Sequence, residues 1–139
     1  MIRLSAAAAI AGSAILGGCA MSVPLGKPFV QLPGTEWRVV AVNGQATPAM
    51  GDYLVRFDRS GSFSARFGCN HMGGTYLSVV GTVAVSNLSQ TLMGCPEPAA
   101  TFESQGSAIL GGRMRADLAD DGRLSLSNGV GTITLVRAG

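Results

Sequence analysis

Phe67-Gly68-Cys69-Asn70-His71-Met72-Gly73-Gly74-Thr75-Tyr76 is the stretch around which the chain is organised. It holds one of three cysteines, the single histidine and one of two tyrosines. Strand-like sequence runs into it from Phe63 and out of it from Tyr76. Gly68, Gly73 and Gly74 suit a shared bend, and Asn70 suits it too, because its amide can bond loop backbone and tolerates unusual φ. His71 reads as a solvated loop residue. A second stretch answers the first downstream, Thr91-Leu92-Met93-Gly94-Cys95.

Working outward, the upstream side reads as three strands: Glu36 to Val42, Tyr53 to Phe57, and Ser62 to Phe67. Asn43-Gly44 and Ser60-Gly61 supply the turns. Downstream, Tyr76 to Val80 and Thr82 to Ser86 pair across Gly81. Pro96 and Pro98 can start a helix but not sit inside one. Ala99, Phe102, Ile109 and Leu110 then fall near helical spacing on one face. Gly106 lies on that face and weakens the helix by about 1 kcal/mol relative to alanine. Gly111-Gly112 ends it. Met114 to Leu118, Arg123 to Ser127 and Thr132 to Val136 finish the chain, separated by Asp121-Gly122 and Asn128-Gly129. The expectation is mainly β (α+β): a bent antiparallel sheet, or partly closed barrel, of about eight strands with one helix.

The N-terminus is of a different kind. Met1-Ile2-Arg3 is a short positive region, and the thirteen residues from Leu4 to Leu16 carry no charge. As a helix they rise about 20 Å, short of a ~30 Å hydrocarbon core, so a secretory signal peptide is expected rather than a membrane span. Leu16-Gly17-Gly18-Cys19 resembles the bacterial lipobox. That resemblance implies cleavage before Cys19 and lipid on its sulfur and new amino terminus. Ala20 and Met21 lack the aspartate that retains such proteins at the inner membrane, which implies the outer membrane facing the periplasm. The organisation expected is a lipoprotein signal peptide at 1–18, a proline-bearing lipidated tether at 19–33, and one folded domain at 34–137.

With Cys19 committed to lipid, Cys69 and Cys95 form an even pair, which an oxidising compartment favours joining. Closing a loop of about 26 residues contributes roughly 3–4 kcal/mol in the chain-entropy model. Two buried thiols, or one reactive thiol, are the alternatives at this point. Cys69 beside His71 suggests nucleophile and base, but no third orienting group is evident. Cys69, His71 and Cys95 suggest zinc, but a structural site takes four ligands and no fourth is evident. Glu103 reads as a solvated helix position, Trp37 as core, and Asp120-Asp121 as turn chemistry. Charged residues make up 13% of the chain and lysine occurs only at Lys27, so the basic patch that nucleic acid requires is absent. Glycines with neither Gly-Lys-Ser/Thr nor a dinucleotide pattern exclude a phosphate loop.

Gly68-Cys69-Asn70, then Gly74 and Tyr76, then Thr91-x-Met93-x-Cys95, with Trp37 near the domain start, resemble the META domain of HslJ-like heat-shock proteins of the bacterial envelope. The resemblance spans about Leu32 to Arg137. Glu103 and Leu110 match the family's helix pattern, whereas Gly106 occupies a place usually aromatic or large, and His71 a place commonly arginine. The resemblance implies a β-dominated fold with one helix and a link to heat or antibiotic stress, and it carries over no catalytic residue. The function expected is a non-enzymatic lipoprotein acting as a binding or interaction module in envelope stress. No cofactor or metal is expected. Its partners would be a membrane, through the N-terminal lipid anchor, and an envelope protein, with no nucleic acid. A periplasmic small-ligand carrier, and a thiol enzyme using Cys69 and His71, are the alternatives.

Overall fold

Alternation of inward apolar and outward polar residues dictates most of the architecture. The computed structural model describes residues 12–13, 17–18 and 29–138. Cys19, residues 20–28 and most of the segment read as a leader lie outside the described residues. Among the described residues the elements are β1 (Thr35–Val42), β2 (Gln45–Ala46), β3 (Tyr53–Phe57), β4 (Ser62–Phe67), β5 (His71–Val79), β6 (Thr82–Gln90), α1 (Ala99–Leu110), β7 (Arg113–Leu118), β8 (Leu124–Ser127) and β9 (Thr132–Arg137).

The strands form one antiparallel sheet in the order β2-β1-β3-β4-β5-β6-β7-β8-β9, and β9 returns to pair with β1. β1 and β3 to β9 therefore close an eight-stranded barrel, with β2 as an extra ribbon on β1. The seam is made by Trp37 opposite Arg137, Val39 opposite Leu135, and Val42 opposite Ile133. A register shift between Val39 and Ala41 changes the inward phase of β1 from odd to even positions, so that Val42 joins Trp37 and Val39 in the core. Asn43 and Gly44 turn the chain with φ of 50° and 79°, and Asn43 Oδ1 accepts from Thr132 N at 3.0 Å, tying that turn to the seam.

The barrel interior is filled by side chains. Phe57, Phe63, Phe67, Leu124, Leu126, Ile133 and Leu135 are all buried, each stabilising by about 1.5–3 kcal/mol relative to exposure. Both ends are stoppered. At one, α1 lies over Phe67 and Tyr53, with Phe102 edge-on to Tyr53 at 5.8 Å. Asn128 Nδ2 donates to Ile109 O at 2.9 Å and ties the helix to the turn before β9. At the other end, fully buried Leu32 fills the opening. Its carbonyl accepts from Thr35 Oγ1 at 2.5 Å, and that oxygen accepts from Trp37 Nε1 at 2.7 Å. Trp37 is thus core, as its sequence context suggests.

Several boundaries differ from the sequence reading. Gly73 and Gly74 are not in a bend with Gly68; β5 begins at His71 and includes both. A register shift between Gly73 and Thr75 brings β6 backbone so close that a Cβ on Gly74 would stand 2.7 Å from Ser86 O. β6 runs on to Gln90, past Ser86. Gly106 is also explained differently. The space that a larger residue would fill is occupied from across the core by Phe67, whose Cε1 lies 2.6 Å from where a Cβ would stand.

Gly106→Ala therefore sets a helix-propensity gain of about 1 kcal/mol against overpacking of about 1–3 kcal/mol on a buried ring. The expected result is a lower denaturation midpoint, measured by thermal or urea unfolding. A rise would show that Phe67 can move aside.

Candidate functional site

Most of the singled-out residues converge where β4 ends, β6 ends and α1 begins. Gly68 takes φ of 86°, and a Cβ there would stand 2.6 Å from Tyr53 Oη, so the bend requires glycine on two grounds. Gly68 N donates to Asp52 O at 2.8 Å. Arg66 holds the following residue, donating from Nε to Cys69 O at 3.0 Å and from Nη1 to Asp52 Oδ2 at 3.1 Å. Cys69 is bonded to Cys95, 26 residues away, with Cα atoms 6.0 Å apart.

Asn70 lies at the centre and is 2% exposed. Its backbone N–H donates to Glu103 Oε2 at 2.9 Å, and its Nδ2 donates to Glu103 Oε1 at 2.7 Å and to Met93 O at 3.1 Å. Its Oδ1 accepts from Thr91 Oγ1 at 2.9 Å and from Met93 N at 2.7 Å. Every hydrogen-bonding atom of the amide is thus engaged. Thr91 adds a ladder to β5, accepting from His71 N at 3.0 Å and donating its own N–H to His71 O at 3.0 Å.

Three sequence expectations change here, those for Asn70 and His71 only in part. Glu103 is not solvated; it is 7% exposed and both its oxygens accept from Asn70. The signal was present, since Ala99, Glu103, Gly106 and Leu110 follow the four-three-four spacing of the buried face. Asn70 serves the bend through its side chain rather than by a left-handed backbone, which occurs at Asn43 and Asn87 instead. His71 is the first residue of β5 rather than a loop residue, and its imidazole faces solvent.

Not all the motif residues meet. Trp37 and Tyr76 belong to the opposite end of the barrel, and Gly74 lies along β5 between the two. Tyr76 Oη donates to Asp58 O at 2.5 Å, and its ring stands edge-on to Phe57 at 5.1 Å.

The chemistry available to the cluster is narrow. The two sulfurs and a Glu103 oxygen lie within 4.8 Å of one another, but a metal would need thiolates, and the sulfurs are bonded to each other. Cys95 Sγ lies 3.8 Å from Glu103 Oε2. A disulfide sulfur has no proton to donate, so this is a packing contact. What the cluster does achieve is mechanical. It fixes the segment Thr91–Cys95 at three points, and Leu92 and Met93 on that segment face solvent, Leu92 at 89% exposure.

Comparison with known proteins agrees with this architecture. The META domain family model matches residues 30–139. A protein from Burkholderia xenovorans, solved by NMR, superposes with a TM-score of 0.64 at 18% identity, covering 99% of both chains. A second NMR structure gives a TM-score of 0.63 at 22% identity, covering 73% of this chain and 87% of that one. At those identities the likeness is one of fold. The search of curated proteins found no match.

Two outcomes are expected. Glu103→Gln places an NH2 opposite one of the Asn70 donors and should cost about 1–3 kcal/mol; Asn70→Ala, which also frees the 91–95 segment, should cost more. Chemical denaturation checks both, and an unchanged midpoint for Glu103→Gln would show the carboxylate to be unimportant. The second concerns pH. Burial raises the Tyr53 hydroxyl above the ordinary tyrosine range, and burial followed by the Asp58 charge does the same for Tyr76. The folded state keeps these protons longer than the unfolded state, so the associated stability is present below about pH 10 and is lost as pH rises further. Tyr76→Phe should flatten that alkaline decline in a stability profile followed by denaturation.

Proposed function

We propose, for this chain that belongs to the META domain family, a non-enzymatic binding or interaction module of the bacterial cell envelope, anchored by lipid at Cys19 and acting in envelope stress or antibiotic tolerance. One observation carries the reading. The Asn70–Glu103–disulfide cluster holds a short segment rigid while turning Leu92 and Met93 outward. Rigid presentation of an apolar side chain lowers the ordering cost of binding. The same cluster supports a non-catalytic role, because Cys69 is held in the disulfide and Asn70 and Glu103 are bonded to each other. A thiol mechanism using Cys69 and His71 would need that bond opened first. A carrier would need its ligand on the surface, because the barrel interior is filled.

Complementation of a deletion strain under envelope stress tests the reading. Leu92→Asp should leave the unfolding midpoint near that of the wild type, because the side chain makes no core contact, and should fail to complement. His71→Ala should complement fully. Cys69→Ser and Cys95→Ser should be destabilised alike, by about 3–4 kcal/mol. Complementation by Leu92→Asp, or failure of Cys69→Ser with Cys95→Ser intact, would overturn the proposal.

A further inference from the structure

At the Leu32 end of the barrel an apolar, uncharged hairpin tip lies against the point where the N-terminal segment joins the fold. Leu77 and Val79 alternate on the outer face of β5, and Val80 tops the turn into β6; they are 67%, 56% and 69% exposed. The pairing of β4 with β5 stops at Thr75, so the tip projects past β4, while on its other flank β7 runs beside it, Ala116 N donating to Gly81 O at 2.9 Å. Phe29 lies against it and is itself more than half exposed; a Cβ on Gly81 would stand 3.3 Å from Phe29 Cε1. Leu118 borders the same depression as Phe29. From Phe67 to Pro96 the sequence contains no aspartate, glutamate, lysine or arginine.

We propose that this tip contacts the interfacial region of the bilayer, an inference that rests on the lipid-anchor reading of Cys19. The length and exit point of the chain argue for that occupant. Residues 20–28 are all that separate Cys19 from Phe29, and the ten steps of chain between those two residues reach at most about 36 Å. An anchor at Cys19 therefore keeps Phe29, and the hairpin it touches, within about 36 Å of the membrane surface. Uncharged apolar side chains at a projecting tip suit the headgroup boundary, where apolar faces bury shallowly. Arg115 and Asp117 on β7 are exposed beside the tip, and the turns between β3 and β4 and between β7 and β8 bring Asp58, Arg59, Asp120, Asp121 and Arg123 to the same end of the barrel, so contact by the tip would leave these charges among the headgroups rather than in the hydrocarbon. The rigid Leu92 segment lies at the opposite end of the barrel and would face away from the membrane.

The test uses the full mature protein in vesicles of phosphatidylethanolamine and phosphatidylglycerol with brominated acyl chains. Wild-type emission comes from buried Trp37 alone and should not be quenched. The Val80→Trp variant, matched to wild type by thermal melting, should lose emission in brominated vesicles. Emission no more quenched than that of wild type would overturn the proposal. So would a shift that follows protein concentration without lipid, which would mean that a second copy covers the tip. Palmitate labelling of wild type against Cys19→Ala judges the anchor separately. A label without quenching removes the hairpin contact alone, and quenching without a label removes the anchor alone.

Discussion

A buried asparagine holding a buried glutamate is the interaction on which the helical end of this fold depends. Taking a carboxylate out of water is costly unless its oxygens are bonded. Asn70 meets that cost with a backbone and a side-chain donor at 2.9 and 2.7 Å. The helix then lies across the barrel mouth with Phe102, Gly106 and Leu110 facing inward. The same amide holds Met93 through both of its backbone groups. One side chain thus couples the end of β4, the segment after β6 and the helix. Such networks are worth more than the sum of single deletions.

The disulfide reinforces this cluster. Cys69 and Cys95 are each the neighbour, in sequence or in space, of a residue bonded to Asn70. The covalent link limits how far the two segments can separate in the unfolded chain, and the hydrogen bonds set their register in the folded one. The opposite end of the barrel is held by a smaller polar chain, from Leu32 carbonyl through Thr35 to the Trp37 indole. In both places a polar group is buried only where a specific partner meets it.

Much of this was legible in the sequence. Short alternating runs separated by Asn-Gly, Ser-Gly and Asp-Gly gave the strands and the antiparallel pairing of sequence neighbours, though not the strand order, and Gly111-Gly112 marked the helix end. The closure of β9 on β1 was only suggested, since pairing between the first and last strands leaves no local signature. The glycines misled because two kinds look alike in sequence. Gly68 is needed for its backbone angle as well as for the Tyr53 hydroxyl beside it, whereas Gly74 and Gly106 are needed only for what approaches them from elsewhere in the fold. Glu103 misled for the opposite reason. Its spacing placed it on the buried face, while its charge suggested solvent, and only a partner 33 positions away resolves the conflict.

The seam has a consequence for the order in which structure can form. Trp37 faces Arg137 across it, a contact between residues 100 positions apart. Neighbouring hairpins can assemble as they are made, since their loops are short and closing them costs little entropy. The barrel itself cannot lock until its last strand is free to dock on its first. Topologies dominated by such distant pairings fold slowly. Until that docking, β1 and the growing end of the sheet are both open edges, able to pair with other chains. The period before closure is when this molecule is most exposed to aggregation, and shielding it then matters more than any later defence of the finished barrel.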